Sequence, residues 1–274
     1  MQDRNEQIAS IALLKKHNGA LTQDYSVLLN PLSAQLNEFS DKELTDAQEI
    51  LKFCEDKGIQ FIPCTSEDFP KRLLNNPEFP FGLFVKSNRS MKELFGNDRQ
   101  VFAVIGTRDC SNYGYHSTRR ITAEIKEKYP KAITVSGLAV GVDKFAHLQS
   151  IFCDIPTVAV LPCGPDKIYP SIHTGLAEEI IKNGGAIVSQ FVPETAPIAI
   201  NFLLRNHVIA GFCDTTIVVE SKEKGGAIVT ARIAKDYGKN VIAVPGRIDD
   251  VRSMGCNRLI HEKTAEIYIP NITI

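Results

Sequence analysis

From residue 101 onward, short apolar runs alternate with single helical segments, and this alternation constrains the fold more than any other feature of the chain. The runs lie at 101–106, 132–136, 157–161, 186–189, 215–220, 241–245 and 266–269. The helical segments lie near 114–129, 140–152, 174–183, 200–210, 226–237 and 253–262. Strands joined one helix at a time need right-handed crossovers, which put them parallel with helices on both faces. Runs such as TVAVL, TTIVVE and VIAVP are apolar throughout, as strands buried on both faces must be. The expected class is therefore α/β, with a doubly wound and mostly parallel sheet.

Residues 1–57 read differently. Ile8, Ile11, Ala12 and Leu14 form a helical stripe that Asn18-Gly19 ends. Ser40 and Glu43 have capping-box spacing, and that helix should run to Lys57-Gly58. We expect a small helical N-terminal domain over 1–57 and the main domain over 58–274. The second begins with short strands near 58–63 and 81–86, joined by a proline-marked connector.

Ligands of such sheets bind beyond the carboxyl ends of the strands. Those ends read Gly106-Thr107-Arg108, Ser136 to Asp143, Pro162-Cys163-Gly164, Ser189-Gln190-Phe191, Glu220 to Gly226, and Pro245-Gly246-Arg247. The first is a strand, a glycine turn and a helix start, the generic cradle for a phosphate. Arg108 adds a charge able to hold phosphate through two parallel hydrogen bonds. Gly225-Gly226, leading into Thr230, repeats the pattern with Lys222 and Lys224 as basic flanks.

Other motifs set limits. The turn after the first strand is GTRDCSNYG, not GxGxxG, and no acidic residue ends the second strand to hold a ribose. No Walker sequence is present. Asp143 and His147, four apart, suit an acid/base or metal pair, but a carboxylate capping a helix start or on backbone and a histidine packed beneath the loop is the better reading. Asn201-Phe202-Leu203-Leu204-Arg205-Asn206 fits a strand of nucleic acid, with phosphate on Arg205 and a base on Phe202. It fits a core phenylalanine and a structural arginine equally well.

Seven cysteines, no two closer than ten residues and none in a CxxC, exclude a disulfide scaffold or a zinc site. Cys110, beside the glycine turn, is the one worth testing for reactivity. The formal net charge is −1, so any nucleic-acid site must be a local patch. The polar start MQDRNEQIAS lacks a signal core and no apolar run spans a bilayer, so a cytoplasmic protein is expected.

Six segments occur in one order: IGTRxxSxYG, SGLAxGxDxxAH, AVLPCGxDxIYP, NFxxRNxxIAG, VVE followed by GGAIVTA, and VPGxIDxxxSxGCNRLI. Over about residues 59–269 this series closely resembles the DNA-processing protein A (DprA, or Smf) family. The resemblance implies an extended Rossmann-like domain that binds single-stranded DNA, forms homodimers and loads the RecA recombinase onto incoming strands in natural transformation. It implies no enzyme activity, cofactor or metal. Carried over, the DNA pocket comprises Gly106, Thr107, Arg108, Ser136, Gly137, Asn201, Phe202, Arg205, Asn206, Gly225, Gly226 and Thr230. Val140 stands where many members carry arginine, and Gly225 where serine is usual. Ile274 closely follows the last expected strand, which reads as a form without the family's C-terminal winged helix. The competing class is a nucleotide-processing enzyme like the Rossmann-like phosphoribohydrolases. Their PGGxGTxxE signature is not present; Lys224-Gly225-Gly226-Ala227 comes nearest.

Overall fold

A computed structural model describes residues 3–96 and 98–274. Its strands are β1 (Leu21–Thr22), β2 (Gln60–Pro63), β3 (Phe79–Pro80), β4 (Gly82–Ser87), β5 (Val101–Ile105) and β6 (Ile133–Ser136). They continue as β7 (Thr157–Val160), β8 (Ala186–Ser189), β9 (Thr215–Val218), β10 (Asn240–Ala243) and β11 (Glu266–Ile267). The helices are α1 (Arg4–Lys16), α2 (Asp41–Asp56), α3 (Lys71–Leu74), α4 (Met91–Leu94) and α5 (Asn112–Lys128). After them come α6 (Val142–Phe152), α7 (Thr174–Lys182), α8 (Ala199–Phe212), α9 (Gly226–Asp236) and α10 (Met254–His261).

Among the described residues nine strands form one sheet in the order β11-β10-β9-β5-β6-β7-β8-β4-β2. From β11 to β8 all neighbours are parallel; β4 runs antiparallel to both β8 and β2. The α/β, doubly wound reading therefore holds. The apolar runs have a direct cause in β5. Val101, Ala103 and Ile105 enter one buried cluster, while Phe102 and Val104 enter another on the opposite face. Alternation of side chains across a strand makes both faces apolar when both are covered.

The N-terminal helices join this architecture rather than standing apart. Ile8, Ile11 and Leu14 of α1 belong to the same buried cluster as Phe61 of β2 and Phe84 of β4. Fully burying one such side chain contributes about 1.5–3 kcal/mol. The core is thus continuous across residue 57, and β1 pairs with β3 to tie the two regions further. The expected signals act locally: Ser40 and Glu43 form a capping box at α2, and α1 gives way to a turn at Asn18 and Gly19, both at positive φ. The connector holds more structure than its prolines suggest, namely α3 and β3, and in the polar stretch after β4 Ser90 and Glu93 form a second capping box at α4. Helix α5 starts two residues before the expected position, since Ser111 Oγ accepts from the Gly114 amide as N-cap. Among the described residues no helix is long and apolar enough to cross a membrane.

Candidate nucleic-acid interface

The chain runs from β5 through β6, β7 and β8 on one side, then returns through α8 to β9 on the other side of β5. Strand order therefore reverses between β5 and β9, where doubly wound sheets open a crevice. A cleft of about 530 Å³ lies there, bounded by the β5–α5 turn, α8 and the start of α9.

The β5–α5 turn is held from three sides. The Thr107 amide donates to Glu220 O at 2.7 Å, and Thr107 O accepts from the Val142 amide at 3.2 Å. Glu220 is buried, and its carboxylate accepts from the Ser111 amide at 2.9 Å and from Ser111 Oγ at 2.5 Å. Residue 106 must be glycine because a Cβ there would lie 2.6 Å from Val142 Cγ2 and 2.9 Å from Glu220 O. Cys110 sits beside this carboxylate; burial and Glu220 push its thiol up to about 12, so it is not a thiolate at neutral pH.

Arg108 projects from this fixed turn into the cleft and is exposed. Its guanidinium carbon lies 5.1 Å from the centre of the Phe202 ring. On the far wall the N-terminus of α9, at Gly225 and Gly226, faces the same space beside Lys222 and Lys224. Unpaired amides and the helix dipole favour an anion there. The acids of the cleft are already matched. Asp109 pairs with Arg252 at 3.1 Å, and Asp143 faces Arg205. Arg108, Lys222 and Lys224 have no carboxylate partner among the described residues, so a chain of formal charge −1 carries a locally positive groove.

Arg205 works inside the protein. Its Nη1 donates to Gly137 O at 2.8 Å and to Val160 O at 2.6 Å, while Nε donates to Asn206 Oδ1 at 3.3 Å. Burial pulls the guanidinium down to about 10, leaving it charged at neutral pH. Asp143 Oδ2 accepts from the amides of Gly137 at 3.1 Å and Ala139 at 3.4 Å. Burial pushes this carboxyl up, against the pull of Arg205 and of those amides. Asp143 is thus a clamp on backbone. His147 is buried beneath the loop with Nδ1 2.8 Å from Thr157 Oγ1, and burial holds its pKa down at about 3. The loop these residues support runs through Leu138 and Gly141, both at positive φ. His173 Nδ1 donates to Leu138 O at 2.7 Å.

Of the residues expected at the site, Gly106, Thr107, Arg108, Phe202, Arg205, Asn206, Gly225, Gly226 and Thr230 line the cleft. Gly137 lines a small adjoining pocket together with Arg108, Val140, Tyr169 and Phe202. Ser136 and Asn201 do not line either. Ser136 Oγ donates to Val104 O at 2.8 Å, and Asn201 Nδ2 donates to Ala196 O at 2.9 Å; both side chains are buried. Tyr169 was not expected. Its ring lies 5.7 Å from Phe202, edge to face, and the Ile168-Tyr169-Pro170 run was the only trace of it in the sequence.

Residues 60–273 match the model of a family described as DNA recombination-mediator protein A. Protein Smf of Escherichia coli is 35% identical over 213 residues, covering 77% of this chain and 55% of the relative. The DNA processing protein DprA of Bacillus subtilis is 33% identical over 219 residues, covering 80% of this chain and 71% of the relative. The chain therefore spans little more than half the length of the first of these relatives. The X-ray structure of DprA from Streptococcus pneumoniae aligns with a TM-score of 0.74 at 25% identity, covering 98% of this chain and 95% of that one. A Helicobacter pylori DprA structure, concerned with its single-stranded DNA binding mode, aligns at 0.66 with 28% identity over 76% of this chain and 90% of that one.

Proposed function

Because the chain belongs to the DNA recombination-mediator protein A family, we propose that its cleft binds single-stranded DNA through the phosphate backbone. The observation that carries this reading is Arg108: an exposed guanidinium on a rigid turn, free of carboxylates, set over the Phe202 ring. In it, Arg108, carried on the close-approach turn at Gly106, takes phosphates on one wall. Lys222, Lys224 and the N-terminal amides of α9 take them on the other. Phe202 gives a base a face on which to stack, whatever its identity. Arg205, Asp143 and Gly137 act one layer below, fixing the loop against which the strand lies.

We read the protein as a mediator rather than an enzyme. Asp143 and His147, spaced for acid/base work, are committed to backbone amides and to Thr157. In this reading it protects incoming single strands and loads the RecA recombinase onto them in natural transformation, acting as a homodimer in the cytoplasm. Strand β11 leaves one edge of the sheet open, with Ile267 and Ile269 exposed, and suits contact with a second copy.

Fluorescence anisotropy of labelled oligo-dT against duplex of the same length tests the cleft. Tight binding of the single strand that weakens in Arg108→Ala is expected. Equal affinity of wild type and variant would remove the assignment.

A further inference from the structure

The outer face of α5 and α6 is built unlike the rest of the surface. Tyr115, Arg119, Phe145, Leu148, Gln149 and Phe152 line an open concavity of about 390 Å³. Tyr115 and Phe145 meet edge to face with ring centres 4.9 Å apart. Arg119 lies 5.7 Å from the centre of the Tyr115 ring, and Lys144 Nζ lies 5.7 Å from that of Phe145. Phe152 is 77% exposed. A monomer gains nothing by holding a phenylalanine in water beside two more aromatic rings.

Charge narrows what covers this face. Several surface arginines elsewhere pair with carboxylates: Arg4 with Glu55, Arg232 with Glu262, Arg258 with Glu223. Among the described residues Arg119 and Lys144 have no such partner, and no acidic residue lines the concavity. The occupant is therefore anionic and has flat apolar surfaces. A second copy of the chain across a two-fold axis would bring two cations and no carboxylate from each side of the concavity, a like-charge contact that costs affinity.

Position supplies the rest. Val140 lines the pocket beside Arg108 and Phe202, and Lys144 and Phe145 follow within the first turn of α6. The β5–α5 turn and the start of α6 touch, through Thr107 O and the Val142 amide. The aromatic face thus begins within one helical turn of the chain that lines the pocket beside the cleft, and it carries cations of its own, Arg119 and Lys144.

We propose that the α5–α6 face is a second contact surface for single-stranded DNA, carrying the stretch of strand that leaves the cleft. Bases stack on Tyr115, Phe145 and Phe152, while Arg119 and Lys144 meet phosphates, the combination by which non-specific single-strand binders track a chain. The proposal rests on reading the cleft as a DNA site.

Two dT oligonucleotides separate the two claims, one of about six nucleotides, matched to the cleft alone, and one of about twenty-five. Wild type should bind the longer strand more tightly. The double variant Arg119→Glu, Phe152→Ala should bind the short strand like wild type and the long one about tenfold more weakly, whereas Arg108→Ala should weaken both. Both substitutions of the double variant are at exposed positions, and a wild-type thermal midpoint confirms the fold. Unchanged affinity for the long strand, with the short strand still bound, overturns the second surface and leaves the cleft standing. Failure of wild type to bind either strand removes both. A change in oligomeric state of the double variant by light scattering, with DNA affinity unaltered, assigns the face to self-association and also overturns the proposal.

Discussion

Arg205 on α8 donates a 2.8 Å hydrogen bond to the carbonyl oxygen of Gly137, at the end of β6, across 68 residues of sequence. The same nitrogen reaches Val160 O at the end of β7, and the charge faces Asp143. One side chain therefore ties a helix to two strand ends and to the loop that floors the cleft. Arg205→Ala should cost about 3–5 kcal/mol, because it leaves the Asp143 carboxylate buried without its counter-charge. Arg205→Lys should rescue little, since a single ammonium does not reproduce the planar fork. Urea denaturation measures both, and a variant as stable as wild type would refute the strut.

Arg108→Ala should behave in the opposite way. Its side chain is exposed and packs only against the Phe202 ring, so stability should change by no more than about 0.5 kcal/mol. Affinity for single-stranded DNA should fall by about 1–3 kcal/mol, the loss of a charged hydrogen-bonding partner. Binding of wild type should drop steadily as salt rises and barely vary with base sequence, because phosphates release counterions whatever bases they carry. A titration series in salt, run on poly-pyrimidine and mixed sequences, checks this; a strong preference for one sequence would contradict it.

Gly141 holds φ +83°, and a Cβ there would sit 2.3 Å from Thr107 O. Gly238 also has a positive φ, +71°, but nothing within 4 Å of a would-be Cβ. Gly238→Ala should therefore cost only the left-handed strain, about 1–2 kcal/mol. Gly141→Ala adds the collision and a ψ of −131° that a side chain tolerates poorly, and should cost clearly more, displacing the β5–α5 turn and weakening DNA binding along with stability. Thermal unfolding of the pair compares the two sites, and equal losses would show that the turn at Gly141 yields freely.

His147 makes stability depend on acid. In the unfolded chain it takes up a proton below about pH 6.5. In the folded protein burial keeps it neutral down to about 3. Between those values the unfolded state binds more protons, so stability falls as pH drops, by about 1.4 kcal/mol per pH unit from this group. Asp143, raised by burial, acts with the opposite sign toward low pH. The informative quantity is thus the difference between wild type and His147→Leu. The variant should lose the histidine slope between pH 6.5 and 3, and parallel curves for the two proteins would mean that His147 is not held neutral.

The parts of this protein legible in its sequence are local. Glycine at 106, the capping box at Ser40, and runs that are apolar on both faces each act within a few residues, where backbone sterics and side-chain alternation decide. Hence the order of strands and helices, and with it the doubly wound class and the place of the cleft at the strand ends, could be read in advance. Helix α5 began early because the signal at Ser111 was present but outweighed by the more obvious Gly114.

The sequence by itself determined that two arginines, two glycine turns and an aromatic ring would gather at one end of a parallel sheet. Only the tertiary structure decided which did what. Arg108 and Arg205 are the same residue type in equally suggestive motifs, yet one faces water over Phe202 and the other is sealed against Asp143, Gly137 and Val160. Ser136 and Asn201, also expected at the site, turn their side chains to the backbone carbonyls of Val104 and Ala196. The physical reason is common to all four. Whether a polar side chain meets solvent or backbone depends on what the fold packs against it from distant parts of the chain, and a buried polar group must take whatever partner that packing supplies.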